Sequence, residues 1–357
     1  MRKPRELLGV LGVALALLLA GCGGAASVPG AAPPPVAVPP PVAADQLAGV
    51  TLRVGDQKGN SQQLLLKAAG QLDNLPYKIQ WSTFTSGPPM LEAVNAGAID
   101  VGQVGNTPPI FSAASGGSIG IVGVLRTPNG DALLVPKNSP LTNPAQLRGK
   151  TIAVAKGSSA HGTLLGALNA TGLKPTDVKI QYLQPGDAFA AFSQGSVDAW
   201  AVWEPYVTQA VQDVGARELI STQDVLAGTG PAGGTPLSNG LAFLVANRAT
   251  LADAGRNTAI SDYYTRIGRA NRWATEHPDA WAQLYSQATG VPLAVAAKAA
   301  SRIVVTPAVI DDKLVASEQK LADTFGAADL IPSHVDIGGF VDRRYDGAVE
   351  SSAKVGR

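Results

Sequence analysis

Residues 90–109, MLEAVNAGAIDVGQVGNTPP, and residues 188–205, AFAAFSQGSVDAWAVWEP, align at a constant offset of 98 positions. Each reads as a helix end, a glycine stop (Gly97, Gly195), a small residue, a β-branched residue, an aspartate (Asp100, Asp198), a strand, and a loop entering a proline-started helix. The repetition admits two readings: two lobes of similar build facing each other across a cleft, or two uses of the helix-glycine-strand unit that α/β proteins favour.

Outward from the first copy, VTLRVG (50–55) and YKIQWSTF (77–84) read as strands, with NSQQLLLKAAG (60–70) between them as a helix. The segment ending at Gly97 has proline in its first turn and glycine just past its last, the usual polarity of a helix. Alternating short strands and helices from residue 50 onward predict an α/β fold with helices packed on mostly parallel sheet. At 357 residues the chain has room for two domains, and 45% apolar with 15% charged residues excludes a disordered chain or a coiled coil. Lys plus Arg number 28 against 27 Asp plus Glu, so no basic surface points to nucleic acid. An anion bound here is held by local dipoles and not by global charge.

The first 21 residues read as an export signal. Arg2, Lys3 and Arg5 precede an unbroken apolar run from Leu7 to Ala20. As a helix that run spans roughly 21 Å, short of the ~30 Å hydrocarbon core. It ends in Leu19-Ala20-Gly21-Cys22, which resembles the lipobox of bacterial lipoproteins, and Cys22 is the only cysteine of the chain. The resemblance implies cleavage before Cys22, a lipid on its sulfur, and a protein anchored to the outer face of the cytoplasmic membrane. Residues 22–49 then form a Pro/Ala-rich tether expected to have no fixed structure and, at ~3.1 Å per residue, to reach up to roughly 80 Å.

GDQKGN (55–60), the stretch quoted first, LLVPKNSPL (133–141), LRGKTIAVAKGSSAHGTLL (147–165) and GSVDAWAVWEPY (195–206) together resemble the solute-binding lipoproteins of ABC importers for aliphatic sulfonates, taurine and related anions. The resemblance implies a type II periplasmic-binding-protein fold, two α/β lobes joined by two crossover strands with ligand enclosed between them. The crossings are expected near residues 133–139 and 243–247. Lobe one then comprises 50–135 and 243–357, and lobe two 136–242. The C-terminal third reads as helical and adds little. The family further implies an organic sulfonate as ligand, a membrane permease with its ATPase subunit as partner, and a monomer. A taurine, nitrate, sulfate-ester or thiamine-related pyrimidine ligand stays open, as does a desulfinase-like enzyme. That enzyme class uses a cysteine nucleophile, and here the single cysteine is assigned to the lipid.

Ser158 and Ser159 follow a strand and precede an apolar helical run, so either can cap the helix while the free first-turn N–H groups and the helix dipole seat an anion. A capping pair with a surface histidine is the plainer reading, and a nucleophilic serine needs an oriented base that His161, on the same turn, supplies awkwardly. His161 is then an optional extra donor. Asn106 and Thr107 occupy a second such turn, with Thr107 as cap, proline at the first helical position, and the Asn106 amide as donor and acceptor. Gln57 and Lys58 lie in the loop after the first strand, where open α/β sheets bind ligands. Strand alternation puts Trp200 and Trp203 on opposite faces, so one is core, and Trp203, at the strand end, is the expected cleft wall. Glu204 either caps the next helix or meets a ligand donor. A phosphate monoanion needs a buried acceptor for its proton, which neither cradle displays in sequence. No metal-ligand spacing or phosphate loop occurs, and no cofactor is called for.

Overall fold

The computed structural model describes residues 31–127, 130–228, 237–332 and 334–349. The signal segment and Cys22 lie outside the described residues. The chain builds β1 (Thr51–Gln57), α1 (Gln62–Ala68), β2 (Lys78–Phe84), α2 (Gly87–Asn95), β3 (Val101–Gly105), α3 (Thr107–Ala114) and β4 (Ile119–Arg126). It then enters a second unit: β5 (Asp131–Val135), β6 (Thr151–Val154), α4 (Ser159–Ala170), β7 (Lys179–Tyr182), α5 (Pro185–Ser193), β8 (Ala199–Trp203), α6 (Tyr206–Val214), β9 (Arg217–Ile220) and α7 (Thr222–Ala227). β10 (Leu241–Asn247) returns to the first unit. α8 (Arg248–Ala252), α9 (Ala254–Glu276), α10 (Pro278–Thr289), α11 (Leu293–Ile303), β11 (Thr306–Ala308) and α12 (Asp312–Ala327) complete that unit.

Two sheets result, ordered β11-β4-β10-β3-β1-β2 and β7-β6-β8-β5-β9. In each, three strands run parallel (β2-β1-β3 and β7-β6-β8) and the next strand, brought in from the other unit, runs antiparallel (β10 and β5). This is the two-lobed α/β architecture expected from the repeat, and the offset of 98 carries into the coordinates. α2 and α5 match residue for residue at that offset, as do β3 and β8. Gly97 and Gly195 both take a left-handed φ, 67° and 73°, which ends each helix at low steric cost. Asp100 Oδ2 accepts the Arg53 N–H at 2.8 Å and Asp198 Oδ2 accepts the Thr151 N–H at 2.8 Å, so one aspartate closes the start of a central strand in each lobe.

Two sequence expectations differ from the structure. β5 pairs with β8 and β9, so residues 131–135 belong to lobe two and the outward crossing precedes Leu133. The all-apolar run of a buried strand does not say which sheet buries it. The return strand β10 pairs from Leu241, inside lobe one. The second difference is the tether. Val36 and Val42 pack on the lobe-one core, Leu47 is buried in it, and Ala44–Gly49 form a 3-10 helix. Arg344 donates to the Val36 carbonyl at 2.9 Å, the Val42 N–H donates to Thr258 Oγ1 at 3.1 Å, and Arg248 donates to the Pro34 carbonyl. Low charge and proline predict an extended backbone, but Val36, Val42 and Leu47 recur along it, and an extended strap can bury those against the lobe.

Each lobe has its own core. In lobe two Trp200, 1% exposed, stands among Phe189, Phe192 and Tyr206 with ring centroids at 6.0, 5.8 and 6.3 Å. Burying such a side chain contributes roughly 1.5–3 kcal/mol. Among the described residues no helix is long and apolar enough to cross a membrane.

Candidate functional site

The carboxyl ends of β1, β3 and β8 converge on a cleft between the lobes with about 850 Å³ of empty space, part of it open to solvent. Open α/β sheets place ligands outside these strand ends. Gln57, Asn106, Ser158, Ser159, Trp203 and Glu204 line this one cavity; Lys58, Thr107 and His161 do not. The lobes meet at glycines: a Cβ on Gly105 would lie 2.8 Å from Ser159 Cβ, and one on Gly162 would lie 2.7 Å from Thr107 Oγ1. Across the cleft rim Ser86 donates to Gln184 Oε1 at 2.8 Å, joining the N-caps of α2 and α5.

The N-terminus of α4 opens into the cleft. Ser158 is its N-cap, accepting the His161 N–H and donating its hydroxyl to the Ala155 carbonyl at 2.7 Å. Ser159 is therefore the first helical residue, and its N–H and that of Ala160 have no intrahelical acceptor. With the dipole of a twelve-residue helix behind them, these amides attract negative charge. The Ser159 hydroxyl donates to Asp131 Oδ1 at 2.8 Å, while Thr163, one turn along the same face, donates to Asp131 Oδ2 at 3.1 Å. Burial pushes the Asp131 carboxyl up to about 6, against the pull of those two hydroxyls.

His161 departs from the expectation of a cleft donor. It is 1% exposed, and its ring sits among Phe111, Tyr182 and Phe325 at 6.0, 5.5 and 5.3 Å. Nδ1 accepts the Gly157 N–H at 3.2 Å, which leaves the ring proton on Nε2, buried and without a hydrogen-bond partner. Burial, with Lys156 nearby, lowers its pKa to about 4, so it is a neutral core ring. The Ser159 hydroxyl is directed at Asp131 and His161 points the other way, so no serine-histidine pair forms. The histidine lies two helical positions from Ser159 and so on another face, with its ring turned back to the Gly157 N–H, which sequence proximity conceals.

The 106–107 turn is shifted by one residue from its expected form. Asn106 is the N-cap position, without a side-chain cap bond, and Thr107 is the first helical residue, fully buried. The Asn106 amide is already engaged: Nδ2 donates to Asn239 Oδ1 at 2.8 Å and to Ser238 Oγ at 3.2 Å, and Oδ1 accepts from Thr107 at 3.0 Å. Asn239 in turn donates to Glu318 Oε2 of α12 at 2.7 Å. Burial pushes Glu318 up to about 8, a value at which it is largely protonated at neutral pH. Lys58 is exposed on its loop, with its backbone N–H on the Phe84 carbonyl.

Trp203 lines the cleft with its ring edge-on to Tyr206, centroids 6.0 Å apart. Glu204 is 1% exposed and does two things at once. It accepts the Thr208 N–H at 3.0 Å, capping α6, and it pairs with Arg302 at 2.7 Å. Arg302 comes from α11, in the third of the chain that the motifs left silent, and lies 3.6 Å from Glu218 as well. It ties lobe one to lobe two and is the only cation lining the cleft among the described residues. Gln103 also lines the cavity, 8% exposed, with its Oε1 lacking a partner. Arg302 and Asp131 were invisible to motif reading, since each acquires its role from partners brought by other elements.

Residues 44–288 match the family described as NMT1-like. The chain belongs to that family. A relative from Escherichia coli (strain K12), named as a binding protein for aliphatic sulfonates, is 38% identical over 291 residues, 80% of this chain and 86% of the relative. The alkanesulfonate-binding protein SsuA from Xanthomonas axonopodis pv. citri, solved bound to MOPS, superposes with a TM-score of 0.72 at 32% identity, covering 82% of this chain and 98% of that one. The periplasmic aliphatic sulphonate binding protein SsuA from Escherichia coli gives 0.67 at 36%, covering 82% and 92%. The family resemblance read from the motifs and the periplasmic-binding-protein fold both stand.

Proposed function

We propose that this chain is an exported solute-binding protein of an ABC importer, which captures an organic sulfonate between its lobes for delivery to the permease. The observation that carries the reading is the α4 N-terminus, open to the cleft with Ser159 at its first turn. A sulfonate is a permanent anion with three acceptor oxygens and no proton, so it suits backbone donors and the Arg302 guanidinium, while Trp203 offers an apolar wall to its tail. The relatives named for aliphatic and alkanesulfonates support this ligand class. The proposed ligand contacts are Ser158, Ser159, Trp203, Gln57 and Arg302. Contrary to the sequence expectation, Asp131 is a buried acceptor beside the cradle, so a proton-bearing oxyanion is disfavoured by the tryptophan wall and the relatives and not by a missing acceptor.

Ser159 lacks a histidine, and among the described residues no His/Cys/Asp/Glu group is arranged to hold a metal. A thermal-shift panel on the chain from residue 23 tests the ligand class, using alkanesulfonates of increasing tail, MOPS, taurine, nitrate, sulfate and phosphate. A ligand at 100 times its Kd adds ~2.7 kcal/mol of stability. Stabilisation by phosphate or nitrate alone sinks the sulfonate reading. The anchor on Cys22 belongs to the same proposal; labelling by radioactive palmitate is expected to disappear in Cys22→Ser, and its persistence refutes the anchor.

A further inference from the structure

The Ser159 hydroxyl has one proton to give. In the structure it gives it to Asp131 Oδ1, 2.8 Å away, at the mouth of the amides on which the ligand is proposed to sit. An oxyanion on those amides would place an oxygen about 5–6 Å from Asp131 Oδ1, two hydrogen bonds in series. Two negative charges would then share a water-poor site. The carboxylate cannot turn aside, because Thr163 holds its other oxygen. No ion pair neutralises it either: among the described residues Asp131 forms none.

Resting on the sulfonate reading above, we propose that capture of the anion is coupled to uptake of one proton at Asp131. The proton comes from solvent to Oδ1. The new O–H donates to Ser159 Oγ, and the Ser159 hydroxyl swings its hydrogen from Asp131 to a ligand oxygen. One proton added thus removes the repelling charge and frees a donor for the ligand. Asp131 becomes a specificity-determining residue: once protonated, it turns the Ser159 hydroxyl into a donor for a ligand oxygen.

The surrounding charges leave this titration to Asp131. On α4, His161 is neutral and faces away. Glu204, next to the partner strand β8, is matched by Arg302. On β9, Glu218 also lies beside Arg302, and Arg217 donates to the Ser139 and Leu141 carbonyls. α6 carries Asp213, next to its C-terminal residue, and α7 carries Asp224, bonded to Ser221 at its own N-terminus. The already elevated Asp131 pKa of about 6 means the free protein is ionised there at pH 8 and half-protonated near 6. An adjacent anion raises it further.

Titration calorimetry of the chain from residue 23 with butane-, hexane- or octanesulfonate, none of which titrates, reads the coupling directly. Run at pH 7.5 in two buffers of different ionisation enthalpy, it is expected to show uptake of close to one proton, falling towards zero below pH 5. Kd is expected to rise about tenfold per pH unit above pH 6. Asp131→Asn, whose amide can donate to Ser159 Oγ as the protonated acid does, is expected to bind at least tenfold tighter than wild type at pH 8, without proton uptake and without a pH slope. Sulfonate binding by wild type with no proton uptake and a flat Kd from pH 5 to 8 overturns the coupling alone, as does weaker binding by Asp131→Asn. Absence of binding by any of the three sulfonates across that range overturns the functional reading and the coupling with it. If the variant does not fold, the two-buffer result on wild type decides.

Discussion

Helices α1 and α4, one in each lobe, both follow the end of a central parallel strand, and they treat their first-turn amides in opposite ways. At α1 the N-cap is Ser61, and the lobe's own Asp56 fills the end of the helix: Oδ1 accepts the Gln62 N–H at 2.7 Å and Oδ2 accepts the Ser61 hydroxyl at 2.5 Å. At α4 the nearest carboxylate, Asp131, stops at the Ser159 side chain and leaves the amides unoccupied by any side chain among the bonds described. The same strand-to-helix turn is therefore sealed in lobe one and open in lobe two. A helix N-terminus becomes a ligand seat only when the chain refrains from capping it fully with its own acid.

Moving the seal is the strongest way to break this contrast. Ser158→Asp puts a carboxylate at the N-cap of α4, a position where aspartate caps as well as serine. Sulfonate affinity measured by calorimetry is expected to fall at least ~100-fold, while the unfolding free energy in urea falls by about 1–3 kcal/mol because the Ala155 carbonyl loses the Ser158 hydroxyl. Affinity within threefold of wild type would show that the anion sits elsewhere in the cleft. Removing the seal from lobe one should do the reverse. Asp56→Ala leaves the Gln62 N–H and Ser61 hydroxyl without their acceptor, at a cost of about 1–3 kcal/mol in the same urea experiment. Sulfonate affinity is expected to stay within threefold, and a larger gain in affinity would mean that α1 had become a second seat.

The two lobes were legible because their pattern is local. Gly97 and Gly195 stop helices whose glycine and aspartate lie within a few residues of one another, so an offset of 98 read from letters survives as matched helices and strands. Strand β5 was assigned to the wrong lobe because an apolar run carries no address. The cleft was half legible: Ser158, Ser159 and Trp203 sit where their motifs suggest, on one cavity. The residues that set its electrostatics were not. Asp131 meets Ser159 across 28 positions, Glu318 meets Asn239 across 79, and Arg302 meets Glu204 across 98, through helices whose sequences announce nothing but helix. His161 failed for the complementary reason: two residues of separation on a helix turn a side chain to another face.

The close approach of Gly105 to Ser159 gives the cleft a mechanical stop. No left-handed φ requires a glycine at 105, so an alanine there would leave β3 intact and act only as a shim between the jaws, 2.8 Å being too near for two carbons. Such a shim would press on Ser159 itself, so it would tilt the balance towards the open form and move one proposed ligand contact with it. How tightly this protein grips is thus written partly in atoms it does without.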